Sequence, residues 1–225
     1  MIRSVLFDTE TTGLDPMTGD RVIEIAAVEL IGDLPTGKHF HTLIHPQRDI
    51  PDEVVRIHGI TIERVRDAPR FEEVAEALLA FFGDGKLIAH NAPFDFGFLN
   101  AELSRASRSA LAFERMIDTL ALARLRFPGM PNSLDALCRR FGIDLTERTT
   151  HNALLDCRLL AEVYVELTGG RQRGLSLAAE GQGEMPVVAY AAVETRTPRL
   201  IVPDEAELAA HVAFVARLKQ PLWGA

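Results

Sequence analysis

Hydrophobic residues recur with two different periods along the first 170 positions. Ser4–Asp8 is a short apolar run that reads as a buried strand, and Arg21–Ile31 is a longer one that mixes alternation with continuous apolar stretches. Lys38–His45 alternates as a third, antiparallel to its neighbours because the links are short. Phe71–Phe82 changes to helical spacing, with Val74, Leu78, Phe81 and Phe82 on one stripe. Leu87–His90 returns to strand, and Phe94–Ser104, Asp118–Phe127 and Ser133–Phe141 read as helices. Asn152–Thr168 is the longest helix, opened by an asparagine cap and closed by Gly169-Gly170. A meander of strands followed by strands alternating with helices predicts an α/β fold, a mixed sheet flanked by helices.

Beyond Gly170 the texture changes. Gly174–Arg199 is rich in Gly, Ala and Glu and keeps no period. The expected organisation is a domain over residues 1–170, a flexible linker over 171–203 and a terminal segment over 204–225. Pro203-Asp204 marks a helix start, and Leu208, Val212, Val215 and Leu218 follow at amphipathic spacing.

The chain has 225 residues, 47% of them hydrophobic and 25% charged, which excludes a disordered protein. Its formal net charge is −8, which argues against holding a duplex through a broad basic surface. Residues 171–225 are balanced: Arg171, Arg173, Arg196, Arg199, Arg217 and Lys219 offset Glu180, Glu184, Glu194, Asp204, Glu205 and Glu207. The whole excess therefore precedes residue 171. Cys138 and Cys157 sit in apolar helical patterns and read as small core residues of a reducing compartment. With neither a signal-peptide core nor an apolar run of membrane length, the expected location is cytoplasmic.

Three segments carry candidate chemistry. In Phe7-Asp8-Thr9-Glu10-Thr11-Thr12-Gly13-Leu14, the two carboxylates share one face of a strand, ~6.5–7 Å apart along it. Leaving the end of a buried strand unpaired, they would repel each other, so a cation is expected between them. In His90-Asn91-Ala92-Pro93-Phe94-Asp95, Asp95 falls in the first turn of a helix, where the dipole alone accounts for it. In His151-Asn-Ala-Leu-Leu-Asp156, a five-residue separation puts the two side chains on different helical faces. Serving one site would require His151 in the loop and Asp156 on the first turns. Asp156, among Leu154, Leu155, Leu159 and Leu160, is either solvent-facing or buried against a metal. Taken as a set, Asp8, Glu10, Asp95, Asp156 and His151 suit two-metal hydrolysis. Hard oxygen ligands select two divalent ions, Mg²⁺ or Mn²⁺, and the histidine adds a base that titrates near neutrality.

In order and spacing, the three segments resemble the motifs of the DEDD exonucleases, in the histidine subclass; His151 stands where the other subclass has tyrosine. Arg56-Ile-His-Gly-Ile60, Asn132-Ser-Leu-Asp-Ala-Leu137 and Ala161-Glu-Val-Tyr164 extend the resemblance over residues 3–170, towards the proofreading epsilon subunits of bacterial DNA polymerase III. The resemblance implies a ribonuclease-H-like fold with a mixed five-stranded sheet, and 3′→5′ removal of misincorporated nucleotides from a DNA 3′ end, single-stranded or frayed. It implies that Asp8, Glu10, Asp95 and Asp156 hold the ions and that His151 is the general base. Thr11, Thr12, Gly13 and Leu14 would receive the terminal nucleotide. His58 would line the same pocket, although a histidine there also reads as a structural cap. Asn91 and Phe94 would be substrate-side neighbours, with core packing the other reading for Phe94. His39, His41 and His45 match no motif and read as surface.

The tail also fits that resemblance. Gln172, Leu175 and Leu177 match the pattern of peptides that dock on the bacterial sliding clamp. Leu208, Val212, Val215, Leu218 and the single tryptophan, Trp223, form a candidate docking element. The resemblance implies the catalytic (alpha) subunit of DNA polymerase III as its partner; packing back on the chain's own domain is the alternative.

Overall fold

The strand that carries the first acidic pair, β1 (Arg3–Thr11), pairs antiparallel with β2 (Val22–Ile31), which pairs antiparallel with β3 (Leu34–Leu43). The chain then forms α1 (Asp52–His58), α2 (Ile62–Val65) and α3 (Phe71–Phe82), and returns as β4 (Lys86–Ala89), parallel to β1. After α4 (Ala92–Arg105), β5 (Met116–Asp118) joins parallel to β4, completing a five-stranded mixed sheet of order β3-β2-β1-β4-β5. Three helices follow, α5 (Thr119–Arg126), α6 (Leu134–Phe141) and α7 (Ala153–Leu167). This computed structural model describes residues 2–146, 148, 150–169 and 202–219. The chain divides into two compact units, Met1–Ser176 and Leu177–Ala225.

Several elements differ from the sequence reading, each for a physical reason. β1 runs past Asp8 to Thr11 because β2 continues to pair with it, Glu10 facing Glu24, until a register shift at Glu10/Thr11. Both acids therefore lie within the strand. β3 starts at Leu34, not Lys38, because Gly32 (φ 59°) and Asp33 (φ 68°) make a two-residue hairpin turn. Pro35 is accommodated because β3 is an edge strand, where a missing donor is harmless. The short elements α1, α2 and β5 were not read from the sequence at all.

Strand alternation sorts side chains onto two layers. Val5 and Phe7 pack towards α3 and α4, the Phe7 ring 5.3 Å from Phe82 and 5.8 Å from Phe96. Leu6, Ala26, Val28 and Ile88 pack towards Leu137, Cys157, Leu160 and Val163 of α6 and α7. Burying a core leucine or phenylalanine contributes about 1.5–3 kcal/mol each, so this packing sets the register of β1 against α7. Asp8 and Glu10 continue the face that Leu6 begins, and that face meets α7. Cys138 and Cys157 are both buried and free.

In the second unit, α8 (Glu205–Val215) is capped by a reciprocal pair. Glu207 N–H donates to Asp204 Oδ1 at 2.8 Å, and Asp204 N–H donates to Glu207 Oε2 at 3.0 Å. The helix does not show the expected single stripe. Leu208, Val212 and Phe214 are exposed and Val215 is buried, so the apolar positions do not share one environment. Gln172, Leu175, Leu177 and Trp223 lie outside the described residues. Among the described residues no helix is long and apolar enough to cross a membrane.

Candidate metal and catalytic site

The site forms where the C-terminal ends of β1 and β4 meet the N-terminal ends of α4 and α7. α4 begins from an unusual turn: Asn91 adopts φ 66°, and Asp118 Oδ1 accepts the N–H groups of Asn91 (3.0 Å), Ala92 (3.2 Å) and Leu120 (3.0 Å). That one carboxylate fixes the entry to α4 and caps α5. It swings Asp95, buried, back over β1, where its Oδ1 accepts Thr9 N–H at 3.1 Å and Thr9 Oγ–H at 2.7 Å. α7 begins from the Asn152 cap, whose side chain accepts Leu155 N–H at 3.0 Å. Asp156 follows one turn later, buried, and His151 stays in the loop with its N–H donating to Ile57 O at 3.2 Å.

The structure brings the acids of all three segments together. Glu10, His151 and Asp156 each offer a ligand atom within 4.8 Å of the other two. Asp8, His151 and Asp156 line a cavity of about 330 Å³, together with Arg148, Asp135 and His90. His151 Nδ1 lies 3.5 Å from Asp156 Oδ2, and the His151 side chain is half exposed. A larger hollow of about 810 Å³, lined by Leu34, Phe141 and Val165, contains none of these groups.

Electrostatics show how poorly this carboxylate cluster is compensated. Burial, and then the charges of Asp95, Glu10, Asp156 and Glu24, push Asp8 well above the usual carboxylate range. Burial and the neighbouring Glu24, Asp156 and Asp95 push Glu10 up to about 8, against a lowering contribution from Arg148. Burial pushes Asp95 up to about 7 despite the bonds from Thr9. Such a cluster of oxygen donors fits hard divalent cations.

The loop after β1 is built around Gly13. A Cβ there would stand 2.2 Å from Asp20 Oδ2, so only glycine lets the Asp20 carboxylate close beneath the turn and accept Asp15 N–H at 3.2 Å. Thr11 Oγ–H donates to Gly13 O at 2.6 Å, and Thr12 Oγ accepts Arg21 N–H at 3.0 Å. Leu14 is 83% exposed at the tip. His58 is the last residue of α1. Its Nδ1 accepts Ile60 N–H at 3.0 Å, and its buried ring lies near Glu24 and His151, with burial lowering its pKa. The structure thus gives His58 the capping bond and places it beside the site as well. Phe94 is half-buried, its ring 4.9 Å from Phe98. His39 is exposed, but His41 does more than decorate the surface, because its Nε2 lies 2.7 Å from Glu24 Oε1.

Glu24 escaped the sequence reading. It is fully buried in β2, directly opposite Glu10, and like charges so placed repel. Besides His41, its Oε1 accepts from Asn152 Nδ2 at 3.3 Å and its Oε2 from Ala153 N–H at 3.1 Å, so it anchors the start of α7 to the sheet. A single charge inside the apolar run Val22–Val28 was the available signal. Asp118 and Arg148 were missed too: the first read only as a helix start and the second as part of a loop.

Known proteins resemble this chain. The Exonuclease family profile matches residues 5–164. The chain is 46% identical over 223 residues to the DNA polymerase III subunit epsilon of Rickettsia felis, covering 96% of this chain and 97% of that protein. With the Escherichia coli subunit epsilon it is 40% identical, covering 94% and 91%. The solved structure of exonuclease X in complex with 5′ overhanging duplex DNA superposes with a TM-score of 0.59 at 29% identity, covering 75% of this chain and 92% of that one.

Proposed function

The chain belongs to the Exonuclease family, among the DNA polymerase III epsilon subunits, and from that membership we propose a mechanism, a metal and a set of partners for it. It is a 3′→5′ exonuclease that proofreads for a replicative polymerase. The observation that carries the site assignment is the crowding of half-buried Asp8 and Glu10 with buried Asp95 and Asp156 beside a half-exposed His151, a set with too little positive charge among its neighbours.

These four carboxylates would hold two divalent ions, Mg²⁺ or Mn²⁺, since an all-oxygen set suits hard cations and serves zinc poorly. Bound there, such ions stabilise the charge that develops on the attacking and leaving oxygens of a phosphodiester. His151 takes the proton of the attacking water. Its exposure keeps that proton exchangeable with solvent, and Ile57 O and Arg148 orient the residue. Thr11, Thr12 and Gly13 present main-chain groups to the terminal nucleotide, and Leu14, projecting into solvent, packs on its base. His58, Asn91 and Phe94 border that subsite. Asp20 and Asp118 act by holding the two turns in shape.

The partners follow from the tail. Gln172, Leu175 and Leu177 would engage the sliding clamp, and Leu208, Val212, Val215, Leu218 and Trp223 the polymerase alpha subunit, in the cytoplasm. The exposed Leu208, Val212 and Phe214 of α8 support a covered surface there.

The test is degradation of a mismatched DNA primer in Mg²⁺ or Mn²⁺, alongside an RNA oligonucleotide of the same sequence. The expected result is rapid trimming of the DNA, and loss of both metal binding and trimming in Asp8→Ala. Retained activity in Asp8→Ala would refute the site, and preference for RNA would refute the substrate.

A further inference from the structure

Arg148 reaches into the acidic site from the loop before α7. Its Nε lies 2.6 Å from Asp156 Oδ1 and its Nη2 2.8 Å from Asp156 Oδ2, so the guanidinium faces both carboxylate oxygens as a fork. Nη1 donates to Asp135 Oδ1, on α6, at 2.6 Å, and Nη2 lies 3.1 Å from His151 Nδ1. The Arg148 side chain is only 9% exposed. One cation therefore holds the acid of α7, the histidine before it and an acid of the neighbouring helix.

That arrangement satisfies a protein without metal. Asp8, Glu10, Asp95, Asp156 and Glu24 crowd together, and Arg148 supplies positive charge where they most need it. It is less compatible with a loaded site. A divalent ion on Asp156 and a guanidinium spanning both Asp156 oxygens would share one carboxylate, and two cations at that range repel. Asp135 offers the way out. At the start of α6 it is partly exposed and bonded to a different guanidinium nitrogen, so Arg148 can leave Asp156 while remaining tethered.

We propose that Arg148 is a positioning latch. Without metal it holds the Asp156 carboxylate and the His151 ring in register, and a divalent ion must displace it from Asp156 in order to bind. Metal binding and the Arg148–Asp156 pair are thereby coupled, and the same step frees His151 Nδ1 from the guanidinium. This inference rests on the reading of Asp156 as a metal ligand.

The test uses the full chain, with Mn²⁺ as the probe, titrated by calorimetry or by the paramagnetic resonance of free Mn²⁺. Arg148→Gln is expected to bind Mn²⁺ about tenfold more tightly, equivalent to about 1.4 kcal/mol. In chelator it should melt below wild type, and in saturating Mn²⁺ that deficit should shrink. Unchanged or weaker Mn²⁺ binding would deny the competition. An equal melting deficit with and without metal would leave Arg148 a purely structural residue. Should Arg148→Gln fail to fold, Arg148→Lys keeps the charge and loses the fork; tighter Mn²⁺ binding than wild type supports the latch, and equal binding overturns it. Asp156→Asn separates the two readings. If it binds Mn²⁺ like wild type, the ligand assignment fails; if it loses Mn²⁺ while Arg148→Gln matches wild type, only the latch fails.

Discussion

Glu10→Gln tests whether repulsion in the site is real. In the metal-free protein the Glu10 carboxyl is raised from 4.5 to about 8, first by burial and then by Glu24, Asp156 and Asp95. A group whose pKa is raised on folding favours the native state while protonated. Its contribution is complete below pH 4.5 and is lost as pH climbs through about 8. Each pH unit across that window costs about 1.4 kcal/mol. The neutral amide has nearly the same shape and never ionises, so at pH 8 the variant escapes most of that loss. That shift already contains the repulsion from the like charges of Glu24 and Asp156, and with partial relaxation of the site a net gain of about 2–4 kcal/mol is expected in chelator. For a unit of this size that corresponds to a melting temperature ~5–15 °C higher. The assay is thermal melting at pH 5 and pH 8, with chelator and with Mn²⁺. Wild type should be destabilised between the two pH values without metal, and Glu10→Gln should flatten that dependence. Saturating Mn²⁺ should remove the variant's advantage, because the ion stabilises wild type through the carboxylate the variant lacks. If Glu10→Gln melts at or below wild type at pH 8 in chelator, the carboxylates are not in conflict and the argument for a metal from charge alone collapses.

His151→Ala should lower turnover by about 10²–10⁴-fold, the usual worth of a general base, while Mn²⁺ affinity changes far less; steady-state rates across pH decide it, and an unchanged profile would remove His151 from proton transfer. Gly13→Ala should destabilise the chain by about 1–3 kcal/mol through overpacking, because Asp20 is tied to Arg48 at 2.9 Å and to Asp15 N–H and cannot freely move from the new methyl; an unaltered melting temperature would mean that the loop yields. Deleting residues 171–225 should leave trimming of a free primer intact and abolish co-purification with the polymerase subunit; a truncated chain that still co-purifies would refute the docking assignment.

What the sequence revealed, and what it hid, divides along physical lines. Asp8, Glu10 and Asp156 were legible because each interrupts or follows an apolar run where a charge is costly, whereas Asp95, which a helix dipole alone accounts for, stood out only as a member of the set. The long elements were legible because a core-facing stripe repeats several times, as in Phe71–Phe82 and Ala153–Leu167. The elements α1, α2 and β5 were not, because spans of seven, four and three residues present too few core positions to set a period. Leu34–Gly37 was lost because edge position, which excuses Pro35, is a property of the sheet and not of the segment. Glu24, Asp118 and Arg148 were hidden for another reason: their partners lie 129, 27 and 8 residues away, and no local pattern announces such pairings.

The charge distribution ties the two ends of the chain together. All of the net −8 precedes residue 171, and part of it lines the acidic cavity, where the Arg148 guanidinium compensates Asp156. Two divalent ions would cancel four of those charges and leave the unit acidic still. An acidic surface repels a phosphate backbone, so the unit alone should hold DNA weakly and in a salt-dependent way. A tail with balanced charge that engaged a polymerase and a clamp, as proposed above, would bypass that weakness, because tethering raises the local concentration of the strand end without requiring affinity for it. Weak intrinsic binding then has a use in proofreading. A correctly paired terminus would stay with the polymerase, and only an end that frays would reach the carboxylates.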